Sequence, residues 1–262
     1  MNPSHEPGVR LYSAAGNRFA VLDAFEREPE QPAELAGTLC ARHGLDGLLV
    51  GARPRVGGDC RMLVYNRDGS RAEACGNGLR ALARWALESE HAGHELVIET
   101  DAGPRRVTCF LRGREVVAAR AELGVPRLVA REEPLALAAG PLAVTLVDMG
   151  NPHCIVLVHD VGRAEVATLG AEIECHPRFP ARTNVSFVEP GGGRLLVRTW
   201  ERGVGETAAC GTGAGAAAVA AIVLGHARSP VEVGMRGGRL QVDWDGTGVL
   251  ALTGPVEALR MA

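Results

Sequence analysis

Apolar residues occur along the chain in short runs that are bounded by glycine and polar residues. Runs of four to six residues rich in β-branched side chains are typical of strands, and they lie at 19–22, 61–65, 95–99, 107–111, 154–158, 195–199, 231–235, 240–244 and 249–253. Apolar spacing of three and four residues predicts four helices, at 33–43, 78–90, 163–174 and 213–224. The pattern therefore favours a mixed α/β chain of the α+β type in which strands predominate.

Two short sequences return in the second half of the chain at nearly the same offset. Gly16-Asn17 returns as Gly150-Asn151, 134 positions later. Cys75-Gly76-Asn77-Gly78 returns as Cys210-Gly211-Thr212-Gly213, 135 positions later. Because both pairs stand in the same order, they indicate an internal duplication. We therefore expect two pseudo-symmetric lobes that meet near residues 115–127.

Each Cys-Gly-x-Gly sequence precedes a predicted helix. The helix after Cys210 carries no polar side chain from Ala214 to Leu224, which is typical of a helix buried on every side. In a lobe made mostly of strands, this predicts a sheet curled around a central helix. We expect residues 1–120 to form the lobe that carries Cys75, and residues 121–254 to form the lobe that carries Cys210.

The charged residues narrow the possible functions. All 28 basic residues are arginine, and the absence of lysine excludes pyridoxal-phosphate enzymes and Walker-type phosphate loops, which need a lysine. A net charge of −3 with scattered arginines argues against nucleic-acid binding. The longest apolar run, 213–224, is too short to cross a bilayer, and residues 1–8 show no signal-peptide pattern. We therefore expect a cytoplasmic protein with no membrane partner.

The cysteine pattern predicts thiols rather than disulfides or a metal site. The seven cysteines are an odd number with no C-x-x-C pair and no zinc-type spacing. His91 and His94 have no carboxylate or cysteine nearby in sequence, so both are expected on the surface rather than on a metal. Five thiols lie outside the repeated turns and are expected to be structural: Cys40, Cys60, Cys109, Cys154 and Cys175.

The two repeated turns predict one kind of chemistry. A helix N-terminus offers unpaired N–H groups and the positive end of the helix dipole, which predicts a lowered pKa for a thiol placed there. If pseudo-twofold symmetry brings both helix starts to one cleft, one thiolate can remove a proton from a carbon. The opposing thiol can then deliver a proton to the other face. That arrangement predicts a racemase or epimerase without a cofactor.

Six sequence blocks extend this interpretation over nearly the whole chain. They are Gly16-Asn17 before Phe19; Asn66-Arg67-Asp68-Gly69-Ser70; Ala74-Cys75-Gly76-Asn77-Gly78-Leu79-Arg80; Gly150-Asn151-Pro152-His153-Cys154; Arg182-Thr183-Asn184-Val185; and Trp200-Glu201-Arg202-Gly203-Val204-Gly205-Glu206-Thr207, which continues into Ala209-Cys210-Gly211-Thr212-Gly213. In these blocks and their order, the sequence resembles the diaminopimelate epimerase family.

The resemblance implies a fold and a reaction. Each lobe would be a strand-rich barrel around a central helix, with the tail at 255–262 returning to the first lobe, and the protein would be a homodimer. The reaction would convert LL-2,6-diaminopimelate to the meso isomer in lysine biosynthesis, with no cofactor. Cys75 and Cys210 would be the acid and base, and which thiol deprotonates which isomer stays open.

The resemblance also implies a set of substrate-binding residues. Backbone N–H groups of Gly76, Asn77, Gly211 and Thr212 would hold the carboxylate at the reacting centre. Glu201 would accept hydrogen bonds from the ammonium at that centre, and His153 is a further candidate for lining the site. Neutral amides and one bidentate cation suit the zwitterionic distal end, and these would be Asn17, Asn66, Asn151, Asn184 and Arg202.

The sequence departs from the family pattern at Arg18, and four alternative classes of protein stay open. Arg18 stands where the family usually has an aspartate, and we predict that its guanidinium faces away from the substrate because an unpaired cation there would need a carboxylate. A proline or hydroxyproline racemase would usually carry histidine at the position of Asn77, and a phenazine-type isomerase would lack both cysteines. A racemase for another amino acid should lose ligands of the distal end. A pure binding protein would keep its affinity without either thiol.

Overall fold

The computed structural model of the protein describes residues 8–72 and 75–260. The expectations for most of the first eight residues, for Ala74 and for the last two residues of the tail lie outside the described residues. Within these ranges the chain forms four helices and eighteen strands. This confirms the predicted mixed α+β class with strands in the majority.

The helices and strands follow one another in two similar series. The first is β1 (Val9–Ala14), β2 (Asn17–Ala24), α1 (Pro32–His43), β3 (Gly47–Ala52), β4 (Cys60–Asn66), β5 (Arg71–Ala72), α2 (Gly76–Glu88), β6 (Glu95–Glu99), β7 (Arg105–Arg112) and β8 (Glu115–Gly124). The second is β9 (Arg127–Leu137), β10 (Gly140–Asp148), β11 (Pro152–Leu157), α3 (Val166–Glu174), β12 (Asn184–Gly191), β13 (Arg194–Glu201), β14 (Gly205–Thr207), α4 (Gly211–Val223), β15 (Val231–Met235), β16 (Gly238–Asp243), β17 (Leu250–Pro255) and β18 (Glu257–Leu259).

The chain divides into two compact units. Unit 1 comprises the described residues up to Glu122 together with the segment from Thr253 onward, and unit 2 comprises Leu123–Leu252. In unit 1, β1 and β2 form an antiparallel hairpin, and α1 then leads to β3, which runs parallel to β2. Strand β4 is antiparallel to β3, and α2 leads to β6, parallel to β4. The C-terminal strand β18 pairs with β1.

Unit 2 repeats this topology. Strands β10 and β11 form the hairpin, α3 leads to β12 parallel to β11, and α4 leads to β15 parallel to β13. Strand β9 pairs with β10 as β18 pairs with β1. Each element of unit 1 thus has a counterpart in unit 2, as an internal duplication predicts.

A central helix fills each unit. Helix α2 packs against β1, β2, β3, β4, β6 and β7, and α4 packs against β9 to β13, β15 and β16. Residues Gly213–Ala221 of α4 are all buried, since alanine and glycine allow strands to approach from every side. Helix α2 is buried from Gly76 to Ala86 and includes two buried arginines, Arg80 and Arg84. Arg84 pairs with Glu88 at 2.7 Å and donates to the carbonyls of Val116 and Val256.

The described residues show neither a membrane span nor a metal cluster. Each helix in residues 8–72 and 75–260 is too short or too polar to cross a bilayer. The same part of the chain contains no group of three or more histidine, cysteine, aspartate or glutamate residues that could hold a metal ion.

A glycine in α3 lies unusually close to a strand of unit 2. A Cβ atom on Gly170 would lie 2.7 Å from Cβ of Trp200, whereas a Cβ atom on Gly37 of α1 would have its nearest contact at 3.8 Å. We expect Gly170→Ala to lower the free energy of unfolding by about 1–3 kcal/mol through overpacking. The matched control Gly37→Ala should raise it by about 0.5–1 kcal/mol, because alanine is the better helix residue. Urea denaturation measures both, and equal effects would contradict the prediction.

Candidate active site

Cys75 begins the central helix of unit 1. It is the N-cap residue of α2, with φ −144° and ψ 105°, and its Sγ accepts the backbone N–H of Gly78 at 3.2 Å. A Cβ atom on Gly78 would lie 3.2 Å from that sulfur, so glycine leaves room for the thiol to lie over the first helical turn. The half-buried thiol therefore stands at the positive end of the helix dipole.

A chain of polar side chains extends from this helix start to the surface of unit 1. Arg80 Nη2 donates to Asn77 Oδ1 at 2.6 Å, and Asn77 Nδ2 donates to Asn17 Oδ1. Asn17 Nδ2 in turn lies 3.5 Å from Asp46 Oδ2. The structure therefore brings together two of the predicted site residues of unit 1, Asn17 and Asn77, and fixes which end of each amide is the donor.

Two other residues of unit 1 lie in different surroundings. Arg18 Nη1 donates to the carbonyl of Gly44 at 3.4 Å, at the C-terminal end of α1, where a cation is favourable. Asn66 is exposed, and its Nδ2 donates to Ser70 Oγ at 3.0 Å within a turn. A role for Asn66 in substrate binding stays a prediction.

Cys210 has the same local geometry in unit 2. It is the N-cap residue of α4, with φ −128° and ψ 112°, and its Sγ accepts the N–H of Gly213 at 3.4 Å. Thr212 Oγ1 lies 3.6 Å from the sulfur. A Cβ atom on Gly213 would lie 3.2 Å from Sγ, which matches Gly78 in unit 1. The duplicated sequence thus folds into a duplicated thiol cap.

The predicted lowering of the thiol pKa is wrong for Cys210. Burial raises the pKa of this thiol well above its ordinary value, and the nearby charge of Glu201 raises it further. The hydrogen bonds from Thr212 and Gly213 lower it, but by less. The helix start therefore does not compensate for the loss of solvent around a thiol that is only 6% exposed.

A second polar cluster of unit 2 involves the hairpin asparagine. Asn151 Nδ2 lies 3.5 Å from Thr212 Oγ1, and Asn151 Oδ1 lies 3.1 Å from His153 Nε2. The pair Asn151 and Thr212 is the counterpart of Asn17 and Asn77. His153 is buried, and burial lowers its pKa to about 3, so the ring is neutral at physiological pH. A neutral ring can donate from Nε2 to the asparagine oxygen.

Three more predicted residues of unit 2 surround the turn after β13: Asn184 begins β12, Glu201 ends β13, and Arg202 lies in the turn. Asn184 Oδ1 accepts the N–H of Arg202 at 3.0 Å, and Asn184 Nδ2 donates to the carbonyl of Pro152 at 3.0 Å. Arg202 Nη1 donates to the carbonyl of Ala181 at 3.1 Å. Glu201 Oε1 accepts the hydroxyl of Thr207 at 2.6 Å. Hydrogen bonds therefore hold the turn from both sides.

Two residues that support these clusters were not predicted. Arg80 is fully buried beside Asn77. Glu174, at the end of α3, accepts Trp200 Nε1 at 2.7 Å and the N–H of Gly203 at 2.8 Å. No local pattern marks Glu174, but the spacing of Arg80 three residues after Asn77 on one helix could have indicated a contact.

The other singled-out residues are mostly structural. Four of the five remaining cysteines are buried as expected, and Cys175 is exposed. His94 is exposed. His91 is partly buried: its side chain is 23% exposed, its ring stacks on Phe25 with centroids 3.7 Å apart, and its Nε2 lies 3.0 Å from Asp23 Oδ2.

Solved structures share this fold. A phenazine biosynthesis protein of the PhzF family from Bacillus anthracis superposes with a TM-score of 0.76 at 15% identity, covering 96% of each chain. A hydroxyproline epimerase from Agrobacterium vitis, with bound trans-4-OH-L-proline, gives a TM-score of 0.72 at 17% identity, covering 96% of this chain and 90% of that one. At these identities the likeness concerns the fold alone.

Sequence comparison defines the family. The model of the diaminopimelate epimerase family matches residues 10–129 and 145–259. The diaminopimelate epimerase of Desulforudis audaxviator (strain MP104C) is 42% identical over 262 aligned residues, covering 92% of this chain and 93% of that protein. The diaminopimelate epimerase of Azoarcus sp. (strain BH72) is 41% identical and covers 92% of each chain. The chain therefore belongs to the diaminopimelate epimerase family.

Proposed function

We propose that the protein converts LL-2,6-diaminopimelate to the meso isomer by moving the proton at one α-carbon. The observation that carries this proposal is the duplicated thiol cap, in which Cys75 and Cys210 each begin a central helix and accept an N–H of its first turn. Membership of the family supports diaminopimelate as the substrate.

The proposed chemistry uses one thiol as base and the other as acid. One thiolate takes the α-proton as its C–H bond breaks, and the electron pair is delocalised into the adjacent carboxylate. The other thiol then gives its proton to the opposite face, which inverts the carbon and exchanges the protonation states of the two sulfurs. The proposal requires that both sulfurs reach the same α-carbon.

Backbone N–H groups would stabilise the carbanion formed between the two steps. The first N–H groups of a helix have no acceptor within the helix, and in α2 and α4 these belong to Gly76, Asn77, Gly211 and Thr212. Donors aimed at a developing oxyanion contribute about 3–4 kcal/mol each. They would take the role that pyridoxal phosphate plays in other amino-acid racemases.

The distal end of the substrate would be bound by amides and one guanidinium. Asn17, Asn66, Asn151, Asn184 and Arg202 are the proposed ligands, and Glu201 would accept hydrogen bonds from the ammonium at the reacting centre. The fixed amide orientations of Asn17 and Asn184 support this assignment. We further propose that the enzyme acts in the cytoplasm, in lysine biosynthesis, and as a homodimer.

Isotope exchange tests the proposed substrate. The purified protein is incubated in deuterated water with LL-diaminopimelate and, separately, with proline and trans-4-hydroxyproline. We expect α-deuterium to enter diaminopimelate with formation of the meso isomer, and the two imino acids to remain unlabelled. Mass spectrometry and chiral chromatography measure label and configuration in the same sample.

The alternative enzyme classes give different results in this experiment. Exchange on proline or hydroxyproline alone would assign the protein to the racemases whose fold it shares. Absence of exchange on every amino acid, combined with measurable binding of diaminopimelate, would indicate a binding protein. Either result would overturn the proposal.

A further inference from the structure

Arg80 is a buried cation at the start of the central helix of unit 1. Its relative exposure is 0%, and its Nε has no hydrogen-bond partner among the described residues. Its other two nitrogens donate to Asn77 Oδ1 at 2.6 Å and to the carbonyl of Gly76 at 3.2 Å. Both acceptors are neutral, so neither balances the charge of the guanidinium.

No described carboxylate lies within 4.0 Å of this guanidinium. The nearest one along the hydrogen-bond chain is Asp46, beyond the amides of Asn77 and Asn17. A buried charge without a counter-charge destabilises the folded protein. The contrast with Arg84 on the same helix is clear, because Arg84 pairs directly with Glu88.

Charged side chains on the strands around α2 are held in other contacts or exposed. Asp23 pairs with His91, and Arg61 pairs with Glu28. Glu99 accepts three backbone N–H groups from the loop at 55–58. Arg18 donates to Gly44, and Arg105 donates to two nearby carbonyls. The exposed ones are Arg10, Glu95, Arg106 and Arg112.

Among the described residues, the remaining ionisable group at this helix start is the thiol of Cys75, which caps the turn whose Gly76 carbonyl accepts a hydrogen bond from Arg80. Burial lowers the pKa of Arg80 to about 10, and the charge of Cys75 acts in the opposite direction. The counterpart position in unit 2 is Gly215, where an added Cβ atom would lie 3.0 Å from Cε of Met149. Cys210 therefore has an apolar neighbourhood at that position and the carboxylate of Glu201 nearby.

We propose that Arg80 is a positioning residue that holds Cys75 as the thiolate in the substrate-free protein, while Cys210 stays protonated. The proposal rests on the proposed function only because it takes these two thiols as the base and the acid. The duplicated fold thus carries unequal charges at its two helix starts. The isomer whose α-proton faces Cys75 can be deprotonated without prior proton transfer.

The test measures thiolate in the absence of substrate, so it does not depend on epimerase activity. Ultraviolet absorbance of the thiolate is recorded near neutral pH for the wild type, Cys75→Ala and Cys210→Ala. We expect the band to disappear in Cys75→Ala and to remain in Cys210→Ala. A band that disappears only in Cys210→Ala, or one that is absent from all three proteins, would overturn the proposal.

A second measurement isolates the contribution of Arg80. Alkylation of Cys75 by iodoacetamide is followed against pH by peptide mass spectrometry in Arg80→Met, with Cys175 as the exposed reference thiol in the same sample. We expect the rate for Cys75 at neutral pH to fall about tenfold for each unit by which its pKa rises. Arg80→Lys should restore part of the rate because it keeps the charge.

The control for net charge is Arg53→Met. This arginine is exposed and pairs with Glu26 at the surface of unit 1, so the alkylation profile of Cys75 should be the same as in the wild type.

Equal profiles for Arg80→Met and the wild type would overturn the proposal. If Arg80→Met does not fold, the alkylation profile of Arg80→Lys tests the contribution of Arg80, and the absorbance comparison of the two cysteine variants tests which thiol is ionised. Failure of the isotope-exchange experiment with a normal thiolate band would count against the proposed substrate only.

Discussion

Replacing either Cys75 or Cys210 by alanine should lower kcat/KM for epimerisation by at least about a thousandfold, because each change removes one of the two proton-transfer groups. Each thiol caps its helix by accepting a backbone N–H, at 3.2 Å for Cys75 and 3.4 Å for Cys210, and the loss of such a cap costs about 1 kcal/mol, which is small compared with the expected loss of activity. The rates are measured in both directions, from the LL and from the meso isomer. Retention of more than about a tenth of the activity in either variant would contradict the two-base assignment.

The single variants also distinguish two bases from one. In deuterated water the remaining thiol can still remove and return a proton on its own side of the α-carbon. We therefore expect Cys75→Ala to exchange the α-proton of one isomer without inversion and Cys210→Ala to do so for the other. The control is Cys175→Ala, whose exposed thiol lies outside the proposed site and whose removal should leave the rate unchanged. Exchange of the same isomer by both cysteine variants would contradict the scheme.

The sequence predicted the duplicated frame because repeats are a local signal. All four helices lie within three residues of their predicted starts, and the nine predicted strands all overlap observed ones. Nine further strands were missed. Strand β3 is buried at every position and has two glycines, so it shows no alternation, whereas β9 is long and carries four charged residues. Such strands are formed by pairing with neighbours, which a local pattern does not encode.

The local signal was sufficient for the thiol caps but not for their electrostatics. The Cys-Gly-x-Gly sequence correctly places each cysteine at a helix start. The pKa of Cys210 depends instead on how completely the folded unit excludes water from it. Arg80 was missed for the same reason, since an arginine on a helix is expected at the surface. Burial is a property of the tertiary fold, so the charges of the site become visible only with the structure.

The two units share the Cys-Gly-x-Gly sequence at the start of the central helix, but they differ in the charged residues near it. In unit 1 the buried cation Arg80 lies in the second turn of α2, after Cys75. In unit 2 the corresponding residue is Gly215, and the carboxylate of Glu201 lies near Cys210. A racemising site with two equal thiols would have no fixed resting state. In the proposed scheme, these unequal charges would make Cys75 the base and Cys210 the acid before substrate binds.

Replacing Glu174 by glutamine should raise KM for diaminopimelate by about tenfold or more with a smaller change in kcat. The carboxylate accepts Trp200 Nε1 and the N–H of Gly203. It thereby fixes both sides of the turn that carries Arg202. An amide keeps only one accepting oxygen, so one of these donors faces an N–H group and loses its partner, at a cost of about 1–3 kcal/mol. Because Arg202 is proposed to hold the distal end, the loosened turn should affect binding more than chemistry.

Glu172→Gln is the matched control on the same helix. Its Oε1 accepts only the N–H of Ala138 among the described residues, at 2.7 Å, and an amide oxygen can accept that bond as well. We expect its KM, kcat and unfolding free energy to equal those of the wild type. A fall in kcat without a change in KM in Glu174→Gln would contradict a positioning role for Glu174 at the distal end.

The same variant gives a stability signature against pH. Burial alone would raise the pKa of Glu174, but the hydrogen bonds from Trp200 and Gly203 and the nearby Arg182 hold it below its ordinary value. The stability that the carboxylate contributes is therefore complete above the unfolded pKa of about 4.3 and is lost as the pH falls through the folded pKa. Urea denaturation should show a gap between the wild type and Glu174→Gln that is constant near neutral pH and narrows below about pH 4. A gap that widens in acid would mean that Glu174 is protonated in the folded protein, and the turn would then need another explanation for its order.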